Sequence, residues 1–200
     1  MKKRGLLIVI SGPSGTGKGT ICRELLNLRP NIIFSVSATT RLARQGEMEG
    51  QNYFFVSKDE FKNMIKDNQL LEYAQVYGNY YGTPKNYVLE NLSKGKDVLL
   101  EIDIEGALQV KEKFSDGVFI FILPPSLQEL KRRIVGRGTE SQQDIERRYG
   151  CAIEEIQQID RYDYAIINDD IEKAIRDVES IIQAEKCKVS RIYNELKKKF

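Results

Sequence analysis

The sequence predicts an α/β fold: a parallel sheet covered by helices on both faces. Three observations carry that prediction. Apolar runs of strand length at residues 5–10, 31–36, 98–103, 118–123 and 164–167 alternate with segments whose apolar residues recur at helical spacing. The runs are apolar at nearly every position, as in strands buried on both faces. The first run passes through a glycine-rich turn into a helix, and strand–turn–helix is the setting a phosphate-binding loop requires.

In chain order, residues 5–10 lead into Ser11-Gly12-Pro13-Ser14-Gly15-Thr16-Gly17-Lys18-Gly19-Thr20, and Ile21, Leu25 and Leu28 mark the helix behind it. That helix stops at Arg29-Pro30, since proline lacks the N–H a helix interior needs. A second buried strand follows at 31–36, then a polar stretch from Ser37 to Asn52 and the short apolar run 53–56. Ser57-Lys58-Asp59-Glu60 has capping-box spacing and opens a helix that packs Phe61, Met64 and Ile65. Residues 70–77 read as a strand and Gly78-Asn79 as a turn. Thr83-Pro84 then opens a helix with proline first and Gly95 just past its end. After the strand at 98–103 a helix runs to Phe114; after 118–123, Pro124-Pro125 closes the strand. Ser126-Leu127-Gln128-Glu129 is a second capping box, and its helix runs into the arginine-rich residues 132–138. A polar helix carries Arg147 and Arg148, and residues 171–200 form one long amphipathic pattern through Ala174, Val178, Ile182, Val189 and Leu196.

Two stretches interrupt the βα rhythm. Residues 37–90 hold too many short strands and aromatics for one crossover and predict a small mobile domain. Residues 134–160 are arginine-rich and poor in aromatics, which suits a lid over phosphates. The expected organisation is a core of 1–36, 91–133 and 161–200, a subdomain of 37–90 and a lid of 134–160.

With 200 residues, 41% of them hydrophobic, the chain can bury one sizeable core. A net charge of +2 argues for neither nucleic acid nor membrane as partner. No apolar run reaches the roughly 18 residues of a membrane span, and no signal peptide is read. Cys22, Cys151 and Cys187 are scattered and odd in number, which predicts a reducing, cytoplasmic setting without disulfides or a zinc site. Histidine is absent, which removes the commonest general base.

The chemistry begins at the glycine turn. Gly12, Gly17 and Lys18 fit Gly-x4-Gly-Lys, in which backbone N–H groups crowd around phosphate and the lysine reaches its outer oxygens. Gly19 stands where a metal-binding Ser or Thr is usual, so Mg²⁺ is held otherwise; Thr20 comes one place later. Arg41 and Arg44, with the hydroxyl of Tyr53 nearby, form a site for a phosphate dianion. Glu72 interrupts an apolar strand and either turns to water or faces a ligand. Facing a ligand, its two oxygens match the parallel N–H donors of guanine, which adenine lacks.

Several motifs together resemble guanylate kinase: Gly12-Pro13-Ser14-Gly15-Thr16-Gly17-Lys18, Ser37-Ala38-Thr39-Thr40-Arg41, Gly78-Asn79-Tyr80-Tyr81-Gly82, Glu101-Ile102-Asp103, Gly136-Arg137-Gly138-Thr139-Glu140 and Ile167-Asn168-Asp169-Asp170. They occur in that family's order and cover residues 5–185. The resemblance implies a P-loop NTPase-type sheet with an NMP-binding subdomain and a lid, and transfer of a phosphoryl group from MgATP to GMP. It implies that Gly12, Pro13, Ser14, Gly15, Thr16, Gly17, Lys18, Gly19 and Thr20 hold ATP, with Arg133 and Asn168 beside them. It implies that Arg41, Arg44, Tyr53 and Tyr81 hold the GMP phosphate, and that Ser37, Glu72, Thr83 and Asp103 read the base. Lys18, Arg41, Arg137 and Arg148 would act on the group in flight. Thr83 stands where some members have serine, and Gly19 is seen in many bacterial members. Gly150 would weaken the lid helix by up to about 1 kcal/mol. Whether Glu101 or Asp103 organises Mg²⁺, whether dGMP also serves, and the oligomeric state stay open. Two rivals stay open as well: a binding module that keeps this fold, and a phosphotransferase with another acceptor. The intact loop and lid arginines weigh against the first, and the guanine-fitting set Ser37, Glu72, Thr83 and Asp103 against the second.

Overall fold

The computed structural model describes residues 4–76, 78–136 and 142–199. Its main sheet has five parallel strands, Leu7–Ser11 (β1), Ile32–Phe34 (β2), Asp97–Glu101 (β7), Val118–Leu123 (β8) and Tyr164–Ile167 (β9), in the order β2-β7-β1-β8-β9. The central strand β1 is buried along its whole length. Alternate residues of the strands serve two cores. Ile8, Ile10, Leu99 and Ile120 pack against Ile21 and Leu25 of the helix Lys18–Leu28 (α1) and against Ile175 and Val178 of Ile171–Lys186 (α7). Leu7, Val9, Leu100 and Phe119 pack on the other face against Val88 and Leu92 of Lys85–Ser93 (α3) and Ala107 and Val110 of Ile104–Lys113 (α4). The unbroken apolar runs follow from this two-sided burial.

From β1 the chain winds one way to β2, and from β8 the other way to β9. The carboxyl ends of β1 and β8 therefore border the crevice where ligands of such sheets bind.

A second sheet, ordered β4-β3-β6-β5, is formed by Ala38–Thr39 (β3), Phe54–Phe55 (β4), Leu70–Val76 (β5) and Asn79–Pro84 (β6). Its own small core joins Ala38 and Leu70 to Phe61 of Lys58–Lys66 (α2), and Phe61 stacks on Tyr80 at 5.4 Å. Neighbouring Leu71 turns the other way into the main core, tying the two sheets together. Leu127–Val135 (α5) and Gln142–Ile156 (α6) pair through Leu130, Ile134, Ile145 and Ala152.

Four expectations need correction. Residues 79–84, read as a turn followed by a helix start, form strand β6, so Pro84 ends a strand and caps α3 instead of beginning it. Strand β7 stops at Glu101, and Asp103 is the N-cap of α4, accepting from the Gly106 N–H at 2.7 Å. At the second capping box only half forms: Ser126 accepts from the Glu129 N–H at 3.1 Å, while the Glu129 carboxylate turns to Arg132 and Arg133. The long terminal pattern breaks after α7 at Cys187, and Val189–Lys199 (α8) is a separate helix. The cause is polar: buried Glu185 draws Lys188 Nζ to 2.5 Å and Arg191 Nη2 to 3.1 Å, across the break between the helices. Among the described residues no helix is long and apolar enough to cross a membrane.

Candidate active site

Between β1 and α1 the chain turns through Gly12, Gly15 and Gly17 at φ of 138°, 92° and 92°, a region glycine enters without strain. Space is denied as well: a Cβ on Gly12 would lie 2.4 Å from the Ile122 carbonyl oxygen, and one on Gly17 2.4 Å from Asn168 Nδ2. Thr16, fully buried, pins the turn by donating its hydroxyl to the Pro13 carbonyl at 2.9 Å. Asn168 Nδ2 braces it from below through the Thr16 carbonyl at 2.7 Å. No side chain caps the first turn of α1, and such a helix start attracts an anion. The Lys18 ammonium is held over the loop by the carbonyls of Gly12 at 2.5 Å and Pro13 at 2.9 Å.

Arginines approach from the α5–α6 pair. Arg148 of α6 is buried and donates from Nη2 to Ser14 Oγ at 2.6 Å, so this helix touches the phosphate loop directly. Arg133 bonds Glu129 at 2.8 Å and the Asn168 carbonyl at 3.1 Å, an orienting frame beside the loop. Hydrogen bonds from Arg132 and Arg133 hold the Glu129 carboxyl at about 2. Arg137 lies outside the described residues.

Acids line the floor. The Glu101 carboxylate lies against Gly19, where an added Cβ would sit 3.4 Å from Oε1, with the buried Cys22 thiol close enough to lower its pKa. Burial raises the Glu101 carboxyl, with Lys18 and Cys22 opposing; burial also raises Asp103, again with Lys18 opposing. Thr20 is exposed. A third acid, Glu155 of α6, is raised by burial between the charges of Lys18 and Asp103.

The remaining candidate residues lie in and around the second sheet. Arg41 meets Glu47 in two hydrogen bonds of 2.9 Å, its guanidinium 5.3 Å from the centre of the Tyr53 ring. Tyr53 and Tyr81 meet edge-to-face at 5.9 Å, and Arg44, exposed, follows on the same loop. Ser37 is half-buried, and its carbonyl accepts from the Phe54 N–H at 2.9 Å. Glu72 is 3% exposed and accepts from the fully buried Thr83 hydroxyl at 2.6 Å. Burial pushes the Glu72 carboxyl up to about 7, Thr83 opposing and Asp103 reinforcing. The chain thus carries a buried carboxylate, an arginine pair and two phenols around its second sheet and a lysine-bearing glycine loop on its first, and a family model described as guanylate kinase matches residues 4–185.

The chain belongs to the guanylate kinase family. It is 58% identical to the guanylate kinase of Clostridium tetani over 97% of this chain and 93% of that protein. It is equally identical to that of Clostridioides difficile, over 99% of this chain and 97% of that protein. The crystal structure of guanylate kinase from Anaplasma phagocytophilum superimposes with a TM-score of 0.81 at 38% identity, covering 96% of this chain and 91% of that one.

For a guanylate kinase, two of the acids were not in the set drawn from the sequence. Glu47 has no periodic signal, because it acts from an irregular loop; its only clue is an acid closely following Arg41 and Arg44. Glu155 was findable: it lies seven residues past Arg148, two helical turns along the same face of α6.

Proposed function

We propose that this chain transfers the γ-phosphoryl group of ATP to GMP, giving ADP and GDP, with the second sheet as the GMP-binding subdomain and α6 within the lid. The observation that carries the proposal is that the Glu72 and Asp103 carboxylates meet at Gly106, and that the charge of Lys18 reaches Asp103. This nearness supports reading the phosphate loop and the buried carboxylate as two parts of one site.

In this reading the loop from Gly12 to Thr20, with Arg133 and Asn168, holds ATP, and Arg41, Arg44, Tyr53 and Tyr81 hold the GMP phosphate. Glu72 accepts from guanine N1–H and the exocyclic amine, with Ser37, Thr83 and Asp103 completing the contacts to the base. A GMP phosphate oxygen attacks the γ-phosphorus while the bond to the β–γ bridging oxygen breaks, and ADP leaves with that electron pair. The attacking phosphate has a second pKa of about 6 and is a dianion at neutral pH, so no general base is needed. What the residues supply is alignment and positive charge: Lys18, Arg41, Arg137 and Arg148 around the group in flight. Oxygen donors suit Mg²⁺, and Glu101 beside Gly19, with Asp103, fits the role of holding it together with the substrate phosphates. When bound, Mg²⁺ neutralises charge on the β- and γ-phosphates. A cytoplasmic location belongs to the same proposal.

The test is ADP release with MgATP and each of GMP, AMP, CMP and UMP against a blank without acceptor. Turnover with GMP alone supports the proposal; turnover indifferent to acceptor, or none, rejects it.

A further inference from the structure

Gly106 is the third residue of α4, is buried, and has an ordinary helical backbone rather than a left-handed one. Nothing in its conformation calls for glycine, and alanine there would favour the helix by about 1 kcal/mol. What glycine provides is room. A Cβ built on Gly106 would lie 2.4 Å from Glu72 Oε2, 3.0 Å from Glu72 Cδ and 3.4 Å from Asp103 Oδ1. All three nearest atoms belong to acidic side chains, and none to backbone or apolar core. Gly82 is different: a Cβ there would press on the Glu72 carbonyl oxygen, Leu70 and Phe61, which is a packing contact.

The Glu72 carboxylate is thus clamped from two sides, with Oε1 taken by the Thr83 hydroxyl at 2.6 Å and Oε2 seated on the bare Cα of Gly106. The same residue fixes the second acid, because its N–H donates to Asp103 Oδ1 at 2.7 Å. We propose that Gly106 is a positioning residue for base recognition, setting through its missing side chain and its N–H where Glu72 and Asp103 face the acceptor. This rests on the guanine role of Glu72 given above. A methyl group at Gly106 presses on Glu72 at 2.4 Å but keeps the N–H to Asp103 and meets Asp103 Oδ1 only at an ordinary 3.4 Å, so the loss falls on acceptor selection and spares both fold and donor site.

The experiment is a double-mutant cycle of Gly106→Ala with Glu72→Ala, read as KM for GMP, KM for MgATP and Tm. Gly106→Ala alone is expected to raise KM for GMP by about ten- to a hundredfold, the worth of a misplaced charged hydrogen-bond pair. KM for MgATP and Tm are expected to hold. In the Glu72→Ala background the same substitution is expected to change KM for GMP by less than about twofold, because its target is gone. An unchanged KM for GMP in the single variant, an equal rise for MgATP, or a full effect that persists without Glu72 overturns the inference. Should the alanine lower Tm, the cycle still decides, since damage to packing would be felt equally without Glu72. Wild-type protein that turns over AMP or CMP as readily as GMP would instead reject the guanine reading beneath it.

Discussion

Arg41 and Glu47 form a two-point pair, both hydrogen bonds at 2.9 Å. Their side chains are only 14% and 19% exposed, and Tyr53 backs the guanidinium. Glu47 also accepts from the Arg44 N–H at 2.8 Å, so one carboxylate shapes the loop that carries both arginines. An arginine held in place beforehand loses less freedom when its anion binds. Glu47→Ala is therefore expected to raise KM for GMP about tenfold, one charged hydrogen bond's worth, and to leave KM for MgATP alone. Steady-state titration of GMP checks this, and an unchanged KM would remove Glu47 from the site.

The pH behaviour of Glu72 has a definite sign. Its carboxyl, ordinarily near 4.5, is raised by burial to about 7 in the folded chain. Between these values the folded state holds a proton that the unfolded state releases, so stability falls as pH rises through that window and then levels. Glu72→Gln is expected to stabilise the free protein by about 3 kcal/mol at pH 8 and by under about 1 kcal/mol at pH 4.5. Urea unfolding at the two pH values measures the difference. The same variant is expected to lose preference for GMP over other acceptors while its affinity for ATP stays.

Lys18 extends over the loop and is no part of the hydrophobic core. Lys18→Ala is expected to keep the fold, seen by circular dichroism, and to lower kcat by about a hundred- to a thousandfold, as loss of one charge-stabilising group does. Near-normal ADP release at saturating substrates would contradict the role given to it.

Two loop glycines should differ in how far substitution destabilises the fold. Gly12→Ala forces a side chain into a left-handed position against the Ile122 backbone, which cannot yield, and is expected to destabilise by about 2–4 kcal/mol. Gly19 has an ordinary conformation, and a Cβ there would meet Glu101 at a tolerable 3.4 Å. Gly19→Ser is expected to stay within about 0.5 kcal/mol of the parent. Urea midpoints of the pair test whether the loop's demand for glycine is local to the turn.

The Glu185 cluster is structural. Its buried carboxylate holds the Tyr164 hydroxyl at 2.5 Å besides Lys188 and Arg191. Glu185→Ala leaves those partners without their acceptor and is expected to destabilise by about 3 kcal/mol with little change in kinetics. Equal Tm values in the two proteins would show that α8 is held by other means.

Much of this molecule was legible in the chain because its strands are buried on both faces. Val118–Leu123 is apolar at every position, which no exposed strand would be. The phosphate loop was legible because its φ angles can be met cheaply only by glycine, so the residue type reports the backbone. Strand β6 was hidden because Tyr80 and Tyr81 are half-buried and sit between glycines that read as a turn. The break after Cys187 was hidden because the amphipathic pattern runs on across it, and the acid that bends the chain sits inside that pattern. Gly106 was hidden for a related reason: what makes glycine necessary there is a side chain from another sheet, far away in sequence.

The sheet order also sets when the site can exist. Central β1 pairs only with β7 and β8, with Ile8 opposite Leu99 on one side and Val118 on the other. Ribosomes add about 5–20 residues per second, so β1 leaves the tunnel on the order of ten seconds before both neighbours are available. The second sheet has its partners close at hand, β5 and β6 being a hairpin, and can assemble in that interval. During synthesis the second sheet can therefore form before the main one. A strand apolar from Leu7 to Ile10 must meanwhile wait with both edges open, which makes β1 the segment of this chain with most need of a chaperone.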